Sequence, residues 1–214
     1  MKVAVLVSGG GTNLQALLDA KAAGKLPEAE FVCVISNRKD AYALERAKAS
    51  GIDAQVLSPR RFASREEYDA ALRDLLLAKG AELIVLAGFL VVLGPKVLHA
   101  YRNRILNIHP SLIPSFCGDG CYGLKVHEMA LARGVKVTGA TVHFVDEGTD
   151  TGPILLQKAV AVREDDSPES LQLRVMQEAE WQLLPKAVDL FTRGKVHFTN
   201  GIAWTDAEDS GQEE

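Results

Sequence analysis

The chain has 214 residues, 47% hydrophobic and 24% charged, with a formal net charge of -4 and a pI near 5.8. That balance is ordinary for one large globular domain and offers no general attraction to nucleic acid, because the basic stretches Arg60-Arg61 and Arg102-Asn103-Arg104 are short and read as solvated surface. No apolar run approaches the roughly 20 residues that span a bilayer, no signal-peptide pattern opens the chain, and Cys33, Cys117 and Cys121 cannot all pair, so a cytoplasmic protein without membrane partners is expected.

In chain order, Val3 to Val7 is a β-branched and aliphatic run that reads as a buried strand. It ends in Ser8-Gly9-Gly10-Gly11-Thr12-Asn13, and the pattern Leu14, Leu17, Leu18, Ala22 then predicts a helix. Phe31 to Ile35 reads as a second strand, Tyr42 to Ala49 as a helix closed by Gly51, and Val56-Leu57 as a short strand. Ser64 with Glu67 resembles a capping box that opens a helix to about Lys79. Leu83 to Ala87 and Ile105 to Ile108 are the next strands, with a short helix from about Pro95 to Tyr101 between them. This alternation predicts a mostly parallel, twisted α/β sheet with helices on both faces.

After Pro114 the pattern changes. Phe116 to Gly123 is a loop rich in Gly and Cys, and Lys125 to Arg133 reads as a helix. Val137 to Val145 and Ile154 to Val162 are longer extended runs with no helix between them, which predicts antiparallel strands in the C-terminal part. Ser167-Pro168 starts a long helix through about Arg193. His197 begins a short terminal strand, and Thr205 to Glu214 is acidic, poor in apolar residues and predicted to be disordered.

Three constellations can carry chemistry. In the first, the glycines after strand one allow close backbone approach, and the helix that follows presents free N–H groups to an anion. The loop lacks the third glycine of a dinucleotide fingerprint and the lysine of a Walker A loop, so it suits one phosphate held by Gly11, Thr12 and Asn13, or it is a tight turn alone. The second is Asn107 and His109, two residues apart on one face of a strand, ahead of the stiff Pro110-Ser111-Leu112-Ile113-Pro114 segment. An amide there can meet a developing oxyanion and an imidazole can carry a proton, although both can also simply cap the strand end. The third is the acidic loop Asp146 to Pro153, either a solvated turn or the source of a carboxylate that raises the pKa of a nearby histidine. His99 and His127 read as surface or packing residues, and His143 as a satisfied interior imidazole or a support for the site. Cys117, Cys121 and His127 match no strong zinc spacing, so no metal is expected.

From Val3 to about Trp204 these motifs resemble the phosphoribosylglycinamide formyltransferases, folate-dependent enzymes of purine synthesis. The resemblance rests on the glycine loop, Ala87-Gly88-Phe89, Leu106 to Leu112, Thr141 to Val145 and Thr149 to Pro153. It implies a Rossmann-like formyltransferase fold. It also implies transfer of a formyl group from the cosubstrate 10-formyltetrahydrofolate to the amine of glycinamide ribonucleotide, in a monomer or homodimer. The catalytic residues would be Asn107, His109 and Asp150. Gly11, Thr12 and Asn13 would hold the phosphate, with Gln177 and Glu180 on the rest of the ribonucleotide. Arg65, Leu90, Val91, Val92, Leu93, Asn107, Asp146 and Asp150 would contact the folate. Relatives commonly carry Arg and an aliphatic residue where this chain has Val91-Val92.

The resemblance further implies a single domain over 1–204. Its first half, 1–103, would bind phosphate and ribonucleotide, and its second, 104–204, would hold the catalytic and folate residues. Methionyl-tRNA formyltransferase shares the Asn-x-His-Pro-Ser core but normally adds a C-terminal tRNA-gripping domain. A formyltetrahydrofolate hydrolase usually adds an N-terminal regulatory one. A non-catalytic phosphate-binding module would bind the ribonucleotide without needing folate.

Overall fold

Alternate residues of β1 (Lys2–Val7) turn to opposite faces of a sheet, and both faces are covered. The computed structural model describes residues 1–206. Val3, Val5 and Val7 join Leu14 and Leu17 of α1 (Thr12–Ala22) in one apolar cluster. Ala4 and Leu6 join Leu72 and Leu76 of α3 (Arg65–Ala78) in another. Burial on both faces is why these strands read as continuous apolar runs.

The strands β2 (Glu30–Ser36), β3 (Ala54–Val56), β4 (Leu83–Leu86), β5 (Ile105–His109), β6 (Val137–Phe144) and β7 (Ile154–Ala161) complete a seven-stranded sheet of order β3-β2-β1-β4-β5-β6-β7. Pairings from β3 to β5 are parallel, and β5·β6 and β6·β7 are antiparallel. From β1 the chain builds outward to β3, then returns to place β4 on the other side of β1. Ligands of open α/β sheets bind at such a reversal, beyond the carboxyl ends of the strands. Here the segments leaving β1 and β4 are joined: the Ser8 N–H donates to the Gly88 carbonyl (3.1 Å), and the Leu90 N–H donates to Ser8 Oγ (2.9 Å).

Helix α2 (Tyr42–Ala49) lies between β2 and β3, α4 (Pro95–Ala100) between β4 and β5, and α5 (Leu124–Arg133) before β6. Ser64 Oγ caps α3 by accepting from the Glu67 N–H, while the Glu67 carboxylate reaches one residue further back than a capping box requires, to the Ala63 N–H. No described helix is long and apolar enough to cross a membrane.

Three expectations need correction. The strand placed at Val56-Leu57 is Ala54–Val56, because only those residues pair with Val34 to Ser36. The long C-terminal helix is interrupted: α6 (Pro168–Val175) and α7 (Trp181–Thr192) flank a π turn over Met176–Glu180. Pro185 inside α7 cannot donate to a carbonyl one turn back, so a regular ladder could not run through this region. Thr205, placed in the tail, is the last residue of β9 (Ile202–Thr205), which pairs with β8 (Val196–Thr199). The tail expected from there on otherwise falls on 207–214, outside the described residues. Strands β4 and β5 pair across the 103/104 division, so the two halves share one sheet.

Candidate active site

Strand alternation brings Asn107 and His109 to one side of β5, and the antiparallel neighbour β6 sets His143 opposite Asn107. The Asn107 Nδ2 lies 3.0 Å from His143 Nε2, and His143 Nδ1 lies 2.9 Å from the Phe144 carbonyl. A carbonyl only accepts, so Nδ1 carries the His143 proton and Nε2 accepts from Asn107. One amide N–H is thereby held by His143, and the amide has a second to offer a substrate oxygen. His143 acts as the support that the sequence allowed for.

Asp150 arrives from the loop between β6 and β7. Its Oδ2 is 3.5 Å from His109 Nδ1 and its Oδ1 is 3.5 Å from His143 Nε2. The Gly118 N–H donates to Oδ2 (3.0 Å), and His109 Nε2 lies 2.9 Å from the Phe116 carbonyl. Asp150 sits at φ 59°, a left-handed conformation that Asp tolerates better than most residues. Two backbone groups of the loop after Pro114 therefore hold the carboxylate and the imidazole together.

The electrostatics of the pair differ from the sequence-based expectation. His109 is 4% exposed, and that burial pushes its pKa below the ordinary value of 6.5. The Phe116 carbonyl and the Asp150 carboxylate act in the opposite direction but do not win. Asp150 does raise the pKa of His109, as supposed, yet the net shift is downward. Burial alone would also raise Asp150. The Gly118 N–H that it accepts from and its surroundings in the loop outweigh this and hold it below the ordinary carboxylate value. The resting pair is thus a neutral imidazole beside a carboxylate.

Asn107, His109, Asp146 and Asp150 line one cavity of about 330 Å³, with Leu90, Val91, Val92 and Leu93 forming its apolar side. Asp146 accepts from the Gly148 N–H (3.1 Å) and Thr151 Oγ1 (2.6 Å), so it shapes its own loop. The apolar side is fixed from behind by Asp69, a buried α3 residue that accepts from the Gly94 N–H (2.9 Å) and the Lys96 N–H (2.7 Å). A Cβ on Gly94 would stand 2.5 Å from the Asp69 carboxyl carbon. Arg65, exposed one turn before Asp69 on the same helix, does not line this cavity.

The glycine loop lies at the start of α1. Gly11 is its N-cap at φ 73°, and a Cβ there would stand 2.6 Å from Ala43 Cβ, so this glycine is required by packing. A Cβ on Gly9 or Gly10 would meet nothing within 4 Å, so packing does not require glycine at either position. Arg46 fastens the loop by donating to the Gly10 carbonyl (2.9 Å) and to Gln15 Oε1 (2.8 Å). Thr12 borders a second cavity of about 920 Å³ between α1 and α7.

Asn13 does not turn its amide toward that loop. Its Nδ2 donates to Glu180 Oε2 (2.7 Å), and its Oδ1 is buried without a partner. Burial pushes Glu180 up to about 7 against the pull of the Asn13 bond. The π turn is what carries Glu180 inward while Gln177 stays exposed, its carbonyl accepting from Gln182 Nε2 (3.1 Å). Among the described residues no three His, Cys, Asp or Glu side chains gather at metal-binding spacing, and His127 is buried with both ring nitrogens unpartnered.

Sequence reasoning missed the Phe116 carbonyl, the Gly118 N–H, Asp69 and Arg46. The first two are backbone groups with no side-chain signature. Asp69 and Arg46 stand on helices, in no motif that singles them out.

An open α/β sheet with an amide, an imidazole and a carboxylate gathered beside one cavity presents groups of the kind that enzymes use to hold an oxyanion and move a proton. Comparison with known proteins narrows the class. The profile described as Formyl transferase matches residues 1–188, and the chain belongs to that family. It is 41% identical over 207 residues to a phosphoribosylglycinamide formyltransferase of Haemophilus influenzae, covering 97% of this chain and 94% of that one. It is 43% identical over 212 residues to the trifunctional purine biosynthetic protein adenosine-3 of Drosophila melanogaster, covering 99% of this chain and 15% of that one. The crystal structure of glycinamide ribonucleotide transformylase 1 from Symbiobacterium toebii superposes with a TM-score of 0.90 at 45% identity, over 96% of this chain and 93% of that chain.

Proposed function

We propose that the chain transfers the formyl group of 10-formyltetrahydrofolate to the amine of glycinamide ribonucleotide, releasing tetrahydrofolate. The observation that carries this reading is the Asn107–His109–Asp150 cluster opening into a cavity with an apolar side. Attack of the amine on the formyl carbon makes an oxyanion and an ammonium. The Asn107 N–H that His143 leaves available meets the oxyanion. A proton leaves the ammonium, and another must reach the folate nitrogen as the carbon–nitrogen bond breaks. His109 Nδ1, facing the ionised Asp150, is the atom that can take up and return it. The 3.5 Å separation is long for a hydrogen bond and would tighten with substrate bound.

In this reading the free glycine positions and the N–H groups at the start of α1 receive the phosphate, with Gln177 and Glu180 toward the rest of the ribonucleotide. Leu90 to Leu93, with the Asp146–Asp150 loop, take the folate, and Arg65 meets its outer part. In this reading the enzyme works in the cytoplasm as a monomer or homodimer, with these two small molecules as its partners and no metal. The test is to combine the purified chain with both substrates and follow release of tetrahydrofolate. Release that requires the ribonucleotide supports the assignment. Release without it, accompanied by formate, would identify a hydrolase instead.

A further inference from the structure

His109 Nε2 lies 2.9 Å from the Phe116 carbonyl, and a carbonyl only accepts. Nε2 therefore carries the proton of the neutral ring, and Nδ1, toward Asp150, keeps its lone pair. The proposed proton transfer needs that arrangement. With the Phe116 carbonyl out of place, the proton would pass to Nδ1, where the ionised Asp150 accepts it, and the base would be lost. The position of one carbonyl in the loop after β5 thus decides whether His109 can work.

That loop is closed on itself and moored to the sheet. Ser111 Oγ donates to the Ser115 carbonyl (2.6 Å), and the Ser115 N–H donates to the Leu112 carbonyl (2.9 Å). His109 on β5, Thr141 on β6 and Gln157 on β7 stand in one cross-strand row. Thr141 Oγ1 donates to the Ser111 carbonyl (2.7 Å) and accepts from the Ile113 N–H (3.1 Å) and from Gln157 Nε2 (3.0 Å). One donor and two acceptor sites are all that a hydroxyl has, so Thr141, which is buried, is fully used. Gln157 Nε2 spends its second N–H on the Ile113 carbonyl (3.0 Å). Gln157 itself is exposed on the edge strand, where water would satisfy its amide equally well. Both of its amide protons nonetheless go to the mooring of the loop.

Resting on the proposed reaction, we infer that Gln157 is a positioning residue for it: through Ile113 and Thr141 it holds the loop where the Phe116 carbonyl keeps the His109 proton on Nε2. Two strands, or about 10 Å, separate Gln157 from His109, so it acts through the loop and not on the ring.

The test uses the full chain. Gln157→Met keeps the length of the side chain and removes both donated bonds, at an exposed edge position that tolerates the change. It should lower kcat about tenfold and leave both KM values unchanged. Histidine NMR of the free protein supplies the readout that a merely structural role would not move. In the parent the neutral His109 carries its proton on Nε2, and in Gln157→Met a measurable share should move to Nδ1. Thr141→Val should shift the tautomer the same way, whereas Thr141→Ser, which retains the hydroxyl, should leave it as in the parent. Folded Gln157→Met with the parental kcat, or with the parental His109 tautomer, would overturn the inference. Parent protein that releases no tetrahydrofolate from the two substrates would count against the proposed reaction instead, and the tautomer comparison would still decide whether Gln157 positions His109.

Discussion

Replacing Glu180 by Gln should make the protein more stable at pH 8 while leaving it nearly unchanged at pH 5. In the folded chain Glu180 is 4% exposed and its pKa is raised from 4.5 to about 7, mainly by burial. Between those two values the folded state keeps a proton that the unfolded chain has released. Stability is therefore lost as pH rises from about 4.5 to about 7 and is level above that window. At roughly 1.4 kcal/mol per pKa unit the loss amounts to about 3 kcal/mol. A glutamine has no charge to desolvate. Its oxygen can accept from Asn13 Nδ2 as Glu180 does, and its amide can donate to the Asn13 Oδ1 that is buried without a partner. For a chain of this size 3 kcal/mol corresponds to roughly 6–12 °C in Tm. Thermal unfolding of both proteins at pH 5 and pH 8 measures it. A Tm difference between variant and parent that is the same at both pH values would refute the argument. If Glu180 also meets the ribonucleotide, the stabilised variant should show a raised ribonucleotide KM.

Three further outcomes follow from the geometry. Asp150→Asn should lower kcat by about 10²–10³ and move the titration of His109 further down, since the carboxylate is one of the two groups opposing the burial effect. A folded variant with parental kcat in a pH–rate series would exclude the pair from the chemistry. Gly11→Ala should cost roughly 1–3 kcal/mol in denaturant unfolding, through its positive φ and the Ala43 clash. Gly10→Ala should leave stability within about 0.5 kcal/mol and instead raise the ribonucleotide KM, and matching stability losses at both glycines would undo that contrast. Asp69→Ala strands the Gly94 and Lys96 N–H groups and should cost roughly 1–3 kcal/mol, with a raised folate KM as the wall from Leu90 to Leu93 loosens. Unchanged urea unfolding would show that water replaces the carboxylate at no cost.

Much of the fold could be read in advance because its signals are local. Buried strands such as Val3 to Val7 and Leu83 to Leu86 declare themselves by unbroken apolar runs. Ser64 and Ser167 mark helix starts by a side-chain bond that spans three residues. The π turn at Met176–Glu180 was not readable in this way. Its extra residue per turn settles in the packed structure, where Glu180 meets Asn13 across 167 positions of chain. A continuous amphipathic pattern through Pro168 to Arg193 hides that interruption, although Pro185 was a hint that the ladder could not be regular.

The site divides along the same line. Asn107 and His109 were placed together by the two-residue period of a strand, and the register of β5 with β6 then added His143 opposite Asn107. The approach of Asp150 depends on a left-handed φ and on the Gly118 N–H, neither of which spacing can specify. The sign of the His109 shift was harder still, because it is a difference between two opposed effects. A carboxylate 3.5 Å away favours the imidazolium, and that much follows once the loop is suspected of reaching the site. The cost of charging a ring that is 4% exposed follows only from the packed surroundings, and it is the larger effect. A neutral His109 held between the Phe116 carbonyl and an ionised Asp150 suits the proposed reaction. It can take a proton from the attacking amine, and the imidazolium so formed is stabilised by both neighbours at the moment the leaving nitrogen needs that proton back.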